Sequence, residues 1–94
     1  MVTEHVFIKV KPENIGDFIA AMEEGQSILR SAYGAREIAF HRGVESDNLF
    51  MLLIEWNQIE DHNAFTKTAD FGKFGGLVGQ YFQEKPSIQH FTRL

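Results

Sequence analysis

The sequence predicts an α+β domain with the ferredoxin-like split βαβ arrangement and an antiparallel four-stranded sheet. The first observation is the order of the periodic segments: strand, helix, strand, strand, helices, strand. The second is that the third predicted strand, Leu49 to Trp56, is apolar at seven of its eight positions, so neither of its faces suits solvent. A chain of 94 residues has no further element to cover the second face. We therefore predict a homodimer that forms through this face of the sheet.

The first strand and the first helix are predicted from two different periods. The residue type alternates from position 2 to position 10, which indicates a strand. One side of this strand carries Val6, Ile8 and Val10, and the other side carries His5, Phe7 and Lys9. Pro12 suits the first turn of a helix, and Gly34 suits its C-terminal cap. Gly25 lies beside the apolar stripe of this helix, so we interpret it as the residue that lets the helix approach the sheet.

A hairpin and a short helix follow. The hairpin is predicted from the strands 36–44 and 49–56, because the four residues between them, 45–48, have side chains that favour a turn. Asn57 is predicted to cap the next helix together with Glu60, in a capping-box arrangement. This helix is expected to end near Lys67.

The last helical segment is rich in glycine. Its spacing places four apolar residues on one face: Phe71, Phe74, Val78 and Phe82. Four glycines between positions 72 and 79 cost this helix about 4 kcal/mol of intrinsic helicity, so packing must stabilise it or it acts as a mobile lid. Pro86 then opens the final strand, predicted over positions 87–93.

Composition excludes several classes of protein. The net charge is -4 with no cluster of Lys and Arg, which argues against a nucleic-acid partner. No apolar run reaches the length of a membrane span, and no signal sequence is recognisable, so we expect a cytoplasmic protein. The absence of cysteine removes disulfides and thiolate metal sites, which leaves oligomerisation to reinforce so small a core.

Several loose motifs occur in a characteristic order along nearly the whole chain. They are Val6-x-Ile8-x-Val10-Lys11-Pro12 before Asp17-Phe18, Glu55-Trp56 before Glu60-Asp61-His62, Phe71-x-x-Phe74, and Pro86 to Phe91. In this order the chain resembles the dimeric α+β barrel proteins of the antibiotic biosynthesis monooxygenase type. The resemblance implies one such domain over residues 1–94. It also implies a choice among cofactor-free oxygenases, haem-degrading enzymes, isomerases and members without a known reaction.

We predict a cofactor-independent monooxygenase, an oxidoreductase that acts on a small quinol-like or polyphenolic metabolite. Such an enzyme needs an apolar slot, an aromatic wall and a group that takes a proton from the substrate. The resemblance places Trp56 in the pocket, where its indole can stack on a ring or donate a hydrogen bond. His62 follows six residues later, and histidine side chains exchange protons near neutral pH. Trp56 and His62 are therefore the predicted catalytic residues.

Five further residues are predicted to bind the substrate: His5, Phe7, Leu52, Phe74 and His90. His5 and His90 lie on the first and last strands, which are antiparallel neighbours in this topology, so we expect their side chains to share a face. The strand histidines do not lie at the short spacing typical of metal-ligand pairs. We therefore expect no metal and no other cofactor.

Departures from the family pattern leave alternatives open. Oxygenase relatives have an amide on the third strand and an arginine on a later helix, where this chain has Leu52 and Gly75 or Gly76. These departures motivate the second hypothesis, a non-catalytic dimer that binds a small molecule or has a regulatory role. A cofactor-free isomerase or decarboxylase with a histidine proton shuttle is the third possibility. Haem breakdown is rejected, because Phe65 and Gly75 replace the tryptophan and histidine of the haem-degrading relatives. The glycine-rich segment matches no nucleotide-binding pattern, and the third strand lacks the RNA-binding consensus.

Overall fold

A computed structural model describes all residues from Met1 to Leu94. Its single sheet is antiparallel and contains four strands in the order β2-β3-β1-β4. The strands are β1 Val2–Lys9, β2 Ala35–Arg42, β3 Leu49–Trp56 and β4 Ser87–Thr92. The arrangement confirms the α+β, ferredoxin-like fold, in which the strands that begin and end the chain pair with each other.

Three helices lie on one face of this sheet: α1 Ile15–Arg30, α2 Ile59–Phe65 and α3 Ala69–Val78. α1 packs against α3, and Phe18 and Met22 of α1 are fully buried against the sheet. Phe18 packs on Phe50 with their ring centroids 4.9 Å apart. No helix in the chain is long and apolar enough to cross a bilayer.

The two faces of the sheet differ in burial. On the helix side, alternate residues of β1 and β3 form the core: Val6, Ile8, Phe50, Leu52, Ile54 and Trp56. On the opposite side no element covers the sheet, and Phe7 and Phe91 are 43% and 52% exposed. We call this second side the open face. Leu49, Met51 and Leu53 of β3 lie on it and are half-buried. Both the predicted alternation of β1 and the predicted bounds of β3 are confirmed.

Local capping differs from the prediction at both helix ends that the sequence singled out. α1 ends at Arg30 with Ser31 as its cap, and Gly34 lies beyond it in the loop to β2, where its positive φ of 83° suits glycine. The prediction that Asn57 caps α2 is wrong. Gln58 occupies the cap position, while the side chain of Asn57 accepts a hydrogen bond from Arg36 at 3.2 Å.

Gly25 permits a close approach, but not to the sheet. A Cβ atom at this position would lie 2.9 Å from Cδ1 of Phe74, which belongs to α3. The interpretation that Gly25 lets α1 approach the sheet is therefore wrong, and the residue instead lets the Phe74 ring lie directly against α1. This contact fixes α3 beside α1, above the helix-side core.

Candidate functional site

A cavity of about 250 Å³ lies between α3 and the strands β1 and β3. Aliphatic and aromatic side chains form most of its wall, among them Val6, Leu52, Ile54, Phe65, Phe71 and Phe74. Apolar cavities of about 150 Å³ can bind a benzene ring, so this one has room for a ring with substituents. Glu4 and His62 are the only titratable residues in the wall, and they define its polar end.

Glu4 is a buried carboxylate, only 5% exposed. It lies on the helix side of β1, two residues before Val6, and β3 places Trp56 beside it. The indole Nε1 of Trp56 donates a hydrogen bond of 2.9 Å to Oε1 of Glu4. A buried carboxylate is costly unless it is hydrogen-bonded and paired, and this bond satisfies one of its two oxygens.

The second oxygen of Glu4 faces two histidines. Oε2 lies 3.4 Å from Nε2 of His62 on α2 and 3.9 Å from Nε2 of His90 on β4. The two imidazole rings meet edge to face with centroids 4.2 Å apart, and the His62 ring also contacts Trp56 at 5.6 Å. We call Glu4, His62 and His90 the polar cluster. Three elements separated along the chain, β1, α2 and β4, thus bring three groups able to bind a proton or a cation to one point.

The environment of His90 disfavours its charged form. Burial lowers the pKa of His90 below the usual value of 6.5, and His62 beside it lowers this pKa further, while the carboxylate of Glu4 acts in the opposite direction. Nε2 of His90 is buried and has no hydrogen-bond partner. His90 therefore favours its neutral form, with an unpaired nitrogen inside the protein.

Four of the predicted site residues line the cavity: Leu52, Trp56, His62 and Phe74. His90 joins them through its contacts with His62 and Glu4. The prediction that His5 and His90 share a face is wrong, because β1 and β4 pair with His5 opposite Gln89 and His90 opposite Glu4. His5 and Phe7 lie on the open face, outside the cavity, and His5 packs against Phe91 there with centroids 4.7 Å apart.

Glu4 is the site residue that the sequence interpretation missed. The sequence did indicate it, since Glu4 lies two residues before Val6 and four before Ile8 and so shares their face of the first strand, which is the core side. A carboxylate in phase with core residues is rarely buried without a partner or a function. The phase of Glu4 alone was therefore sufficient to single it out.

Comparison with known proteins assigns the chain to a family. The model of the antibiotic biosynthesis monooxygenase family matches residues 1–76. The chain belongs to this family. Its membership confirms the resemblance stated from the motifs, and residues 1–76 include Glu4, Trp56 and His62 but not His90.

Individual members of the antibiotic biosynthesis monooxygenase family, and other proteins of this fold, resemble the whole chain. A Bordetella bronchiseptica protein with a provisional assignment to the family has a structure that matches 99% of this chain and 96% of its own, with 29% identity and a TM-score of 0.93. SnoaB, a cofactor-independent oxygenase from Streptomyces nogalater, matches 98% of this chain and 91% of its own with a TM-score of 0.86, but at 13% identity this likeness shows the fold alone. YczJ of Bacillus subtilis, an uncharacterized protein, is 23% identical over 92 residues, which are 97% of each chain. Family membership and the monooxygenase names together support a monooxygenase-like role.

Proposed function

We propose that this chain is a cofactor-independent monooxygenase that oxidises a small phenol or hydroquinone. One observation carries the proposal: an apolar, aromatic-walled cavity has a single polar end, formed by Glu4 and His62. A phenol has the same division, with an apolar ring and one acidic hydroxyl group. The cavity therefore orients such a molecule with its ring among the phenylalanines and its hydroxyl group at the polar cluster.

The polar cluster supplies the proton acceptor that this reaction needs. An imidazole nitrogen of the cluster takes the hydroxyl proton, and Glu4 stabilises the imidazolium ion that forms. The resulting phenolate is electron-rich and reduces molecular oxygen directly. In the overall reaction, a hydroquinone and O₂ give a hydroxyquinone and water, so the ring supplies all four electrons and no external reductant is required. The apolar wall excludes water from the intermediate.

The same proposal includes a homodimer. The open face exposes Phe7 and Phe91 and leaves Met51 and Leu53 half-buried, which forms an apolar surface in the middle of the sheet. Contiguous apolar surface of this kind is typical of an association site. A second copy, packed sheet to sheet, would bury it without any change in the helix-side cavity.

Oxygen uptake by purified, chelator-treated protein tests the reaction. We expect protein-dependent uptake with at least one member of a panel of hydroquinones, and a loss of at least about 100-fold in rate for His62→Ala, since general-base catalysis contributes on the order of 100-fold or more. His5→Ala is the matched control, because His5 lies on the open face. No uptake across the panel, or equal rates in wild type and His62→Ala, would contradict the proposal.

The contact between His62 and His90 favours a second candidate, an isomerase. His62 in the cavity wall can remove a proton from one carbon of a substrate and return it to another, and His90, whose ring centroid lies 4.2 Å away, can hold the proton in between. Such a reaction consumes no oxygen. An anaerobic assay separates the two candidates: turnover that persists without oxygen indicates the isomerase, and a ligand recovered unchanged under both conditions indicates a binding protein.

A further inference from the structure

The polar cluster brings one carboxylate oxygen and two imidazole nitrogens to a single point. The ligand atoms of Glu4, His62 and His90 all lie within 4.8 Å of one another, and the carboxylate Oε2 is central to them, at 3.4 Å and 3.9 Å from the two Nε2 atoms. The other carboxylate oxygen already accepts the indole hydrogen of Trp56. Oε2 therefore has only the two imidazoles as near polar partners.

The orientation of His62 determines what it presents to the carboxylate. Its Nδ1 lies 3.2 Å from Oδ1 of Asn63, and an amide oxygen only accepts hydrogen bonds. In the assigned orientation of the Asn63 amide, Nδ1 carries the ring hydrogen, and Nε2 directs its lone pair toward Glu4. This is the arrangement found around metal-binding histidines, whose second ring nitrogen donates to an oxygen atom.

His90 contributes a second unpaired nitrogen. Its Nε2 is buried and has no hydrogen-bond partner, although buried polar atoms almost always have one. The nearest polar groups are Oε2 of Glu4 and the ring of His62, and both are acceptors in the tautomer described above. When His90 carries its ring hydrogen on Nδ1, three lone pairs converge at this point, and a cation between them satisfies all three at once.

Two imidazoles and one carboxylate form a ligand set for divalent first-row transition ions. With bonds of about 2.1 Å, two ligands of a tetrahedral ion are about 3.4 Å apart. The distance from Glu4 to His62 has this value already. The distance from Glu4 to His90 is 3.9 Å and must shorten by about half an ångström, and all three ligand atoms lie within 4.8 Å of one another.

We infer that Glu4, His62 and His90 form a binding site for a divalent first-row transition ion, with an open coordination position that faces the apolar cavity. Trp56 and Asn63 then act as positioning residues, since they hold the carboxylate and the His62 ring. The inference does not depend on the proposed oxidation. The ion uses the lone pairs that accept the substrate proton in that reaction, so the metal-bound and proton-accepting states of the cluster are alternatives.

Sequence spacing gives no indication of this site. The argument against a metal considered ligands close together along the chain, whereas these three lie on β1, α2 and β4 and are separated by 58 and 28 positions (62 − 4 and 90 − 62). Only the register of β1 with β4, which pairs Glu4 with His90, brings the first and last ligands together.

Cobalt binding tests the inference. Chelator-treated protein is titrated with Co²⁺ at micromolar concentrations, and visible absorption reports the coordination of the ion; Zn²⁺ is measured by calorimetry. We expect one ion per chain and an affinity at least about 100-fold lower in His62→Ala and in His90→Gln, because even outer partners of metal ligands contribute about 10- to 100-fold. Asn63→Ala is expected to weaken binding by about 10-fold through loss of the ring orientation.

His5→Ala and His41→Ala are the matched controls, since both histidines lie on the open face. They should leave the affinity and the cobalt spectrum unchanged. Near-ultraviolet circular dichroism confirms that each variant is folded, and His90→Gln on the edge strand keeps the test available if His62→Ala does not fold. The inference is overturned if folded wild-type protein binds neither ion, or if the cluster variants bind both as tightly as the controls. Because the assay contains no substrate, neither result bears on the oxidation.

Discussion

Glu4, Val6 and Ile8 point from β1 toward the helices, whereas His5 and Phe7 point from the same strand to the open face. The helix side combines an apolar core with a polar cluster whose carboxylate, that of Glu4, is buried. The open face combines exposed aromatic residues with no buried charged group. A shift of one residue in the strand would exchange the two sets. The register of β1 therefore places Glu4 on the helix side and the side chains of His5 and Phe7 on the open face.

The histidines show the same contrast. On the helix side, the ring centroids of His62 and His90 lie 4.2 Å apart, and burial lowers the pKa of His90. His5 on the open face packs against Phe91 and has no carboxylate in contact. Identical side chains thus differ in role because of their face, and substitutions on the two faces should have different effects.

The largest expected effect is on the free energy of unfolding, which should fall much more for a substitution on the helix side than for one on the open face. Trp56→Ala should lower the free energy of unfolding by about 3–5 kcal/mol, because it leaves a cavity in the core and removes the donor to Glu4. Phe7→Ala on the open face should lower it by about 0.5 kcal/mol or less in dilute protein. Urea denaturation measures both. Equal losses in the two variants would show that the faces do not differ as described.

The second prediction concerns association through the open face. Leu53→Glu places a charge in the middle of that face, where a two-fold partner would bring a second copy of the same charge. We expect the dissociation constant of the proposed dimer to rise by more than about 100-fold, while far-ultraviolet circular dichroism stays unchanged. Sedimentation equilibrium measures the mass. Wild-type protein that remains a folded single subunit at high concentration would contradict the dimer itself.

The third prediction tests whether the bond between Glu4 and Trp56 is part of the stability of the helix side. A double-mutant cycle of Glu4→Leu and Trp56→Phe should give a coupling free energy of about 0.5–3 kcal/mol, since each single change leaves a buried polar group without its partner. Thermal unfolding in the presence of a chelator gives the four free energies. A coupling near zero would mean that the two groups stabilise the fold independently.

The sequence predicted what depends on local pattern and missed what depends on register. The two sides of β1 follow from alternation, and the bounds of β3 follow from a nearly continuous apolar run; both patterns can be recognised within one strand. His90 shares a face with Glu4 and not, as predicted, with His5, because of how β4 aligns with β1. Local sequence patterns do not determine that alignment, since a long connection separates β4 from the other strands. The error at Asn57 has a similar origin. Its side chain is used in a hydrogen bond from Arg36, on a strand distant in the sequence.

The smallest expected effect concerns α3, the helix that covers the cavity. Gly72 and Gly76 lie within α3, and a Cβ atom at either position would meet nothing within 4 Å. Gly72→Ala and Gly76→Ala should therefore each stabilise the protein by about 0.5–1 kcal/mol, because alanine restricts the unfolded chain and favours a helix. Gly25→Ala should have the opposite effect on stability, since its Cβ would lie 2.9 Å from the Phe74 ring and would push α3 away from α1.

Hydrogen exchange of the α3 amides shows whether this helix is a rigid cover of the cavity or a mobile lid. Slower exchange in the stabilised variants, together with slower ligand entry, indicates that opening of α3 admits ligands to the cavity, whereas slower exchange with unchanged entry indicates another route.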